Sequence, residues 1–364
     1  MKRWIAALVF LVLPAFTQQR QNFIINIGTP EGQALQSIGQ ESDDAKKLAL
    51  MQEFLEKYAQ HEGAGWVAAQ LEAAYTKDKQ YDKALEAAGK VGADGPNELD
   101  VAFNAVKAAD AKGDAEQVKK WGTRTIEAAR KITSTGKPPA DDDEKHAIEY
   151  AKDVGNYAEF AFYSTILKTK DPKQTIDLAE ALEKVNPKSQ YLWLATPSYV
   201  RATGGRACAT ASRLAAADSR NAEASLVAAD CSWRAGKAEG VVSNASRALE
   251  ALNSRPKVEG GGEGAKTGSA NFYLGTGYAM QQKWGPANKS LRAALPSLKG
   301  EPITYANALF SLGLANYTLG KALGDKTQMR EGLKFFEQSA EIASNVQDQA
   351  ARNARLIRTE LGGR

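Results

Sequence analysis

One spacing recurs along this chain, and it suits stacked helix pairs rather than sheets. Leu274, Gly275, Tyr278, Trp284, Ala287, Leu291 and Ala294 read L-G-x2-Y-x8-A-x3-L-x2-A. Leu71, Tyr75, Tyr81 and Ala84 repeat that frame far upstream, before Pro96. In both copies the leading Leu lies 13 residues before the Ala, with an aromatic three residues before the Ala. Leu312-Gly313 opens a further copy, whose second helix resumes at Gly332, Phe336 and Ser339 after about seven extra residues around 322–330. Small residues at such positions let two antiparallel helices cross closely, and Leu, Tyr and Phe fill the space beside them. Between the copies, apolar residues return every three or four positions, as in Leu48, Leu50, Met51, Phe54, Leu55 and Tyr58. From residue 38 onward Ala, Leu, Glu, Lys and Gln dominate, all strong helix formers. Breaks fall at Asp78-Lys79, Gly92 to Pro96, Gly113-Asp114, Asp171-Pro172, Asn186-Pro187, Gly204-Gly205 and Gly236. The chain therefore reads as all-α, with helices of about 12–16 residues joined by tight turns.

These residues resemble the tetratricopeptide repeat family, whose unit is a helix–turn–helix of about 34 residues. Units are placed at 65–98, 99–132, 156–189, 190–221, 222–253, 268–305 and 306–342, with a half unit at 45–62 and a closing helix over 345–361. The match is specific in 268–305 and looser elsewhere. Unit 99–132 has Ala105 and Ala109 where larger residues are usual, and unit 190–221 keeps Trp193, Gly204 and Ala209 but carries Thr196-Pro197 in place of Leu-Gly. The resemblance implies a right-handed α-solenoid, with N-terminal repeats over 38–132, central repeats over 149–253, and C-terminal repeats with a capping helix over 268–364. Two segments interrupt it: a linker at 133–148 with two prolines and the acidic run Asp141 to Glu144, and a Gly-rich loop at 254–267.

The N-terminus reads as an address. Lys2 and Arg3 precede the apolar stretch Trp4 to Phe16, and small residues Ala15 and Thr17 precede a polar run. This is the plan of a secretory signal peptide over 1–17, followed by a flexible segment over 18–37. The apolar stretch is shorter than the ~20 residues of a membrane span, and no later run approaches that length. Export makes a disulfide the favoured reading of the only two cysteines, Cys208 and Cys231, with two buried thiols as the alternative. The expected location is the periplasm, the cell envelope or the medium.

Sequence signals for chemistry are sparse. Gly260 to Thr267 (GGGEGAKT) comes one residue short of a P-loop, with Ala265 where glycine is required, and no buried strand precedes it. His61 and His146 sit far apart and outside any zinc motif, so no metal is expected. Asp141, Asp142, Asp143 and Glu144 lack the frame of a calcium loop and suit a helix N-terminus instead. Arg352, Arg355 and Arg358 suit a solvated end cap. A net charge of +4, halved by removal of the leader, gives no argument for nucleic acid. The reading is a non-enzyme without cofactor.

The family resemblance implies that the first helix of each unit lines a concave groove. Carried over position by position, Trp66, Phe103, Tyr157, Phe160, Tyr191, Leu194, Trp233, Phe272, Phe310 and Tyr317 fall on or near that face, about half of them serving helix packing instead. Tyr157 and Tyr191 are 34 residues apart, as are Phe160 and Leu194. Aromatic side chains anchor interfaces at low entropic cost. The expected function is an exported scaffold binding a protein or peptide partner. A glycan- or small-ligand-binding module using Trp66, Trp233 and Trp284 is the alternative, and an enzyme without a recognisable motif the third reading.

Overall fold

The computed structural model describes residues 25–91, 97–134, 136, 138–255 and 263–362. The leader expected over 1–17 lies outside the described residues, as do 18–24 of the segment after it and 256–262 of the Gly-rich loop. Among the described residues all regular structure is helical. Two compact units divide the chain after Ala161.

Unit 1 holds α1 (Pro30–Gln40), α2 (Asp44–Tyr58), α3 (Ala64–Lys77), α4 (Tyr81–Gly89), α5 (Glu98–Lys112), α6 (Ala115–Thr133) and the first part of α7 (Asp142–Lys168). Each helix from α1 to α6 packs on the next, and α3 also packs on α5. First helices of successive pairs thus touch, as stacked hairpins require. Unit 2 contains the end of α7 and α8 (Pro172–Val185), α9 (Gln190–Ala202), a 3-10 turn (Gly204–Arg206), α10 (Ala207–Ala217), α11 (Ala222–Arg234), α12 (Ala238–Ser254), α13 (Glu263–Met280), α14 (Trp284–Leu298), α15 (Pro302–Leu323), α16 (Lys326–Ala340) and α17 (Gln347–Gly362). There α8 to α17 also pack in sequence order, and α9 meets α11, α11 meets α13 and α13 meets α15.

Local chemistry sets the helix ends. Asp43, Asp114, Asp171, Ser189, Asn221 and Asp325 each accept a first-turn backbone N–H, satisfying donors that a helix leaves open. Gly113 and Gly324 end α5 and α15 in the left-handed region, at φ 75° and 68°. Within the pairs, glycine marks the close crossings. A Cβ on Gly275 would lie 2.5 Å from Leu291 Cγ, and one on Gly313 2.8 Å from Phe336 Cγ. The extra residues near 322–330 are absorbed by lengthening α15 to 22 residues before the Gly324 turn.

Three boundaries differ from the sequence reading. The segment 18–37 was expected to be flexible, yet residues from Pro30 form α1, because Thr29 caps it, Pro30 starts it and Leu35 and Ile38 bury against the next helix. The acidic end of the 133–148 linker belongs to α7, where Asp141 accepts the Glu144 N–H at 2.8 Å. The Gly-rich loop 254–267 is shorter than expected, since α12 runs to Ser254 and α13 begins at Glu263.

Candidate functional site

In unit 1 one face of α5 presents Asp100, Phe103, Lys107 and Asp110, at the three- and four-residue spacing that aligns side chains along a helix. The facing stripe of α7 presents Tyr150, Tyr157 and Phe160. Phe103 sits edge-on between the two tyrosines, with ring centroids 6.5 Å from Tyr150 and 5.5 Å from Tyr157. Its ring lies under the Lys107 ammonium at 4.2 Å. Tyr150 donates to Asp100 at 2.6 Å and Tyr157 to Asp110 at 3.3 Å. Phe160 packs 6.3 Å from Tyr157 and remains 37% exposed.

Electrostatics make this face rigid rather than reactive. Burial, reinforced by the neighbouring aspartates, pushes both tyrosine hydroxyls far above their ordinary range, so they remain protonated donors. Burial also raises the Asp100 carboxyl and lowers the Lys107 ammonium. Behind them, Glu72 of α3 is 0% exposed, and neither carboxylate oxygen has a hydrogen-bond partner. Burial raises its carboxyl well above the ordinary value, and the positive fields of Lys107 and Arg124 only partly oppose that. The face offers ring edges, one open phenylalanine and hydroxyls already fixed on carboxylates. Such a surface holds apolar and aromatic side chains in defined places.

The other expected site residues scatter. Trp66 is half-buried on α3. In unit 2, Tyr191 stacks obliquely on Tyr163 at 6.1 Å, and Leu194 beyond it is exposed. Trp233 meets Phe272 and Tyr273 edge-on, at 5.9 and 6.2 Å, and Tyr273 donates to Asp230 at 3.0 Å. Phe272 does not line a groove: it is 3% exposed and packs with Leu291, Leu298 and Leu312, because α14 and α15 close over it. Phe310 and Tyr317 lie against the cluster of Phe336, Ala350, Ala354 and Ile357, so α17 covers them, and Tyr317 donates to Glu360 at 2.6 Å. The recurring tyrosine-to-carboxylate bonds, from Tyr150, Tyr157, Tyr273 and Tyr317, escaped the sequence reading. Their partners lie 43–50 residues apart, and no local spacing marks them.

Two further features of unit 2 have clear roles. Cys208 and Cys231 are bonded, joining the first turn of α10 to α11 with Cα atoms 5.8 Å apart. Lys266, the would-be phosphate lysine of the Gly-rich stretch, instead binds the buried Glu223 at 2.6 Å, beside a two-pronged Arg255 contact at 2.9 and 2.8 Å. Arg255 also lies over the Trp193 ring at 5.0 Å, opposite numbers being supplied by Arg220 at 5.1 Å. Among the described residues no helix is long and apolar enough to cross a membrane, and no acidic, His or Cys cluster is arranged to hold a metal ion. The chain matches no protein-family model and no curated protein.

Proposed function

We propose that this chain is an exported, non-catalytic scaffold of the tetratricopeptide kind, a right-handed helical-repeat protein that binds a segment of a protein partner. The observation that carries this reading is the α5–α7 face: Phe103 and the 37%-exposed Phe160 pack against Tyr157, which a hydrogen bond to Asp110 fixes in place, giving an ordered anchoring surface. Preorganised aromatic anchors cost little entropy on binding. Export is supported by the Cys208–Cys231 bond, a linkage that persists in oxidising compartments, together with the leader-like residues 1–17.

A photo-crosslinking residue placed at Phe160, with a control at the exposed Leu356 of α17, tests the surface in envelope extracts. A partner identified from Phe160 and not from Leu356, and bound about tenfold more weakly by purified Phe160→Ser protein, supports it. Equal crosslinking from both positions, or unchanged affinity in Phe160→Ser, refutes it.

A further inference from the structure

A groove of about 620 Å³ opens in unit 2 between α8, the end of α9 and the start of α10. That is the size of a small-molecule site. Arg206, Thr210 and Arg213 line it from the 3-10 turn and α10, Lys184 and Glu180 from α8, and Tyr199 from α9. The charges in it are not balanced internally. Arg213 is occupied, since it pairs with Glu183 and donates to the Tyr199 hydroxyl at 3.0 Å. Among the described residues, Arg206, Lys184 and Glu180 make no ion pair. Thr210 is only 7% exposed, lines the groove, and its hydroxyl has no hydrogen-bond partner. Burial pushes the Tyr199 phenol up to about 12, so it keeps its proton while accepting from Arg213, and that proton is left to donate.

The backbone adds to this arrangement. No side chain caps the first turn of α10, where Arg206 stands, and Ala209 and Thr210 of the helix start line the groove. The disulfide ties that same turn to α11 through Cys208, which restrains its backbone before any ligand arrives. Two exposed cations that make no ion pair, the Thr210 hydroxyl and a helix start meet at one end of the groove. Glu180 offers an acceptor at the groove as well.

We propose that this groove binds a phosphate dianion, free or carried on a small hydroxylated molecule, with Arg206, Lys184 and Thr210 holding the phosphate and Glu180 accepting from the hydroxyls. The site shares no residue with the α5–α7 face and stands or falls independently of it. Isothermal titration of the oxidised full-length protein with glycerol phosphate, inorganic phosphate and glycerol, at matched ionic strength, tests it. Glycerol phosphate is expected to bind, glycerol is not, and Arg206→Ala and Thr210→Val are each expected to weaken binding about tenfold or more. Circular dichroism checks that both variants keep their helicity. Tighter binding of glycerol phosphate than of phosphate supports an ester as the ligand, and equal binding supports the free anion. No saturable binding of either phosphate, or equal affinity in the wild type and both variants, overturns the proposal.

Discussion

Replacing Glu72 with methionine is expected to stabilise unit 1 and to change how its stability depends on pH. Glu72 is 0% exposed, and neither carboxylate oxygen is hydrogen-bonded. An ionised carboxylate in that state is costly, so the folded protein keeps the proton. Burial raises the folded carboxyl well above its ordinary value of 4.5, against the weaker pull of Lys107 and Arg124. The unfolded chain ionises in the ordinary range. Between those two values the folded state binds more protons than the unfolded state, so stability falls as pH rises. The slope for one such group is about 1.4 kcal/mol per pH unit. Below the ordinary value the contribution is fully present, and above the folded value it has been lost. Methionine has a similar length and needs no hydrogen bond, so Glu72→Met removes the slope and is also spared an unsatisfied polar group worth about 1–3 kcal/mol. Glu72→Gln removes the slope but keeps the unsatisfied atoms. The assay is urea unfolding from about pH 4 to about pH 8, read by hydrogen exchange of the α3 amides so that unit 2 does not contribute. Asp100, also raised by burial, remains in every variant and largely cancels in the difference. A constant gap between wild type and Glu72→Met across that range would refute the reasoning, because it would mean that Glu72 titrates normally in the folded protein.

Other expectations follow from unit 2 and the glycines. Reducing the Cys208–Cys231 bond, or replacing both cysteines with serine, should cost about 3 kcal/mol in urea unfolding of unit 2, the value for closing a loop of this length. At Glu223 burial pushes the carboxyl up, but hydrogen bonds from Arg255 and Lys266 outweigh it and leave the carboxyl below its ordinary value. Its contribution is therefore present above the ordinary carboxyl range and lost as pH falls through the folded value. Glu223→Gln should cost about 3 kcal/mol at neutral pH and less in acid, a trend opposite to that of Glu72 and readable by the same titration. Gly332→Ala would set a Cβ 2.7 Å from Tyr317 N and 2.9 Å from Gly313 O, backbone atoms that cannot turn aside, and should lower the melting temperature by an amount equivalent to about 2 kcal/mol. Gly39→Ala meets nothing within 4 Å inside α1 and should raise it, by up to about 1 kcal/mol.

The helix pairs were legible because the signals for them are local. Asp114 and Asp171 announce helix starts, Gly113 an end, and the close crossings need glycine at 275 and 313. Exposure of the aromatic residues was not legible. Periodicity assigns a residue to a face of its own helix, but what covers that face is decided by helices further along the chain. Phe272 and Trp233 carry the same kind of signal, yet α14 and α15 bury Phe272 while Trp233 stays half-open. Phe310 and Tyr317 were assigned to a groove, and α17, some 40 residues on, closes over them. The aspartates that fix Tyr150 and Tyr157 are hidden for the same reason, as partners distant in sequence.

Glu72 shows where size and chemistry part company in such a chain. The frame that sets Gly275 against Leu291 places Glu72 and Ala88 at the corresponding positions of the first copy, each pair 16 residues apart. A large residue stands on one helix where a small one stands on the other, with the order exchanged. Both Glu72 and Ala88 are fully buried, so the exchange keeps the crossing filled. Volume is therefore satisfied, and a sequence comparison scored on size would see nothing amiss. The carboxyl group is what the exchange leaves unsatisfied, and Lys107 and Arg124 reach it through their fields without bonding it. Met at 72 would satisfy the same geometry without that cost. The pH titration of Glu72→Met thus measures a penalty that packing alone cannot register, and it does so in the helix pair that supports the α5–α7 face.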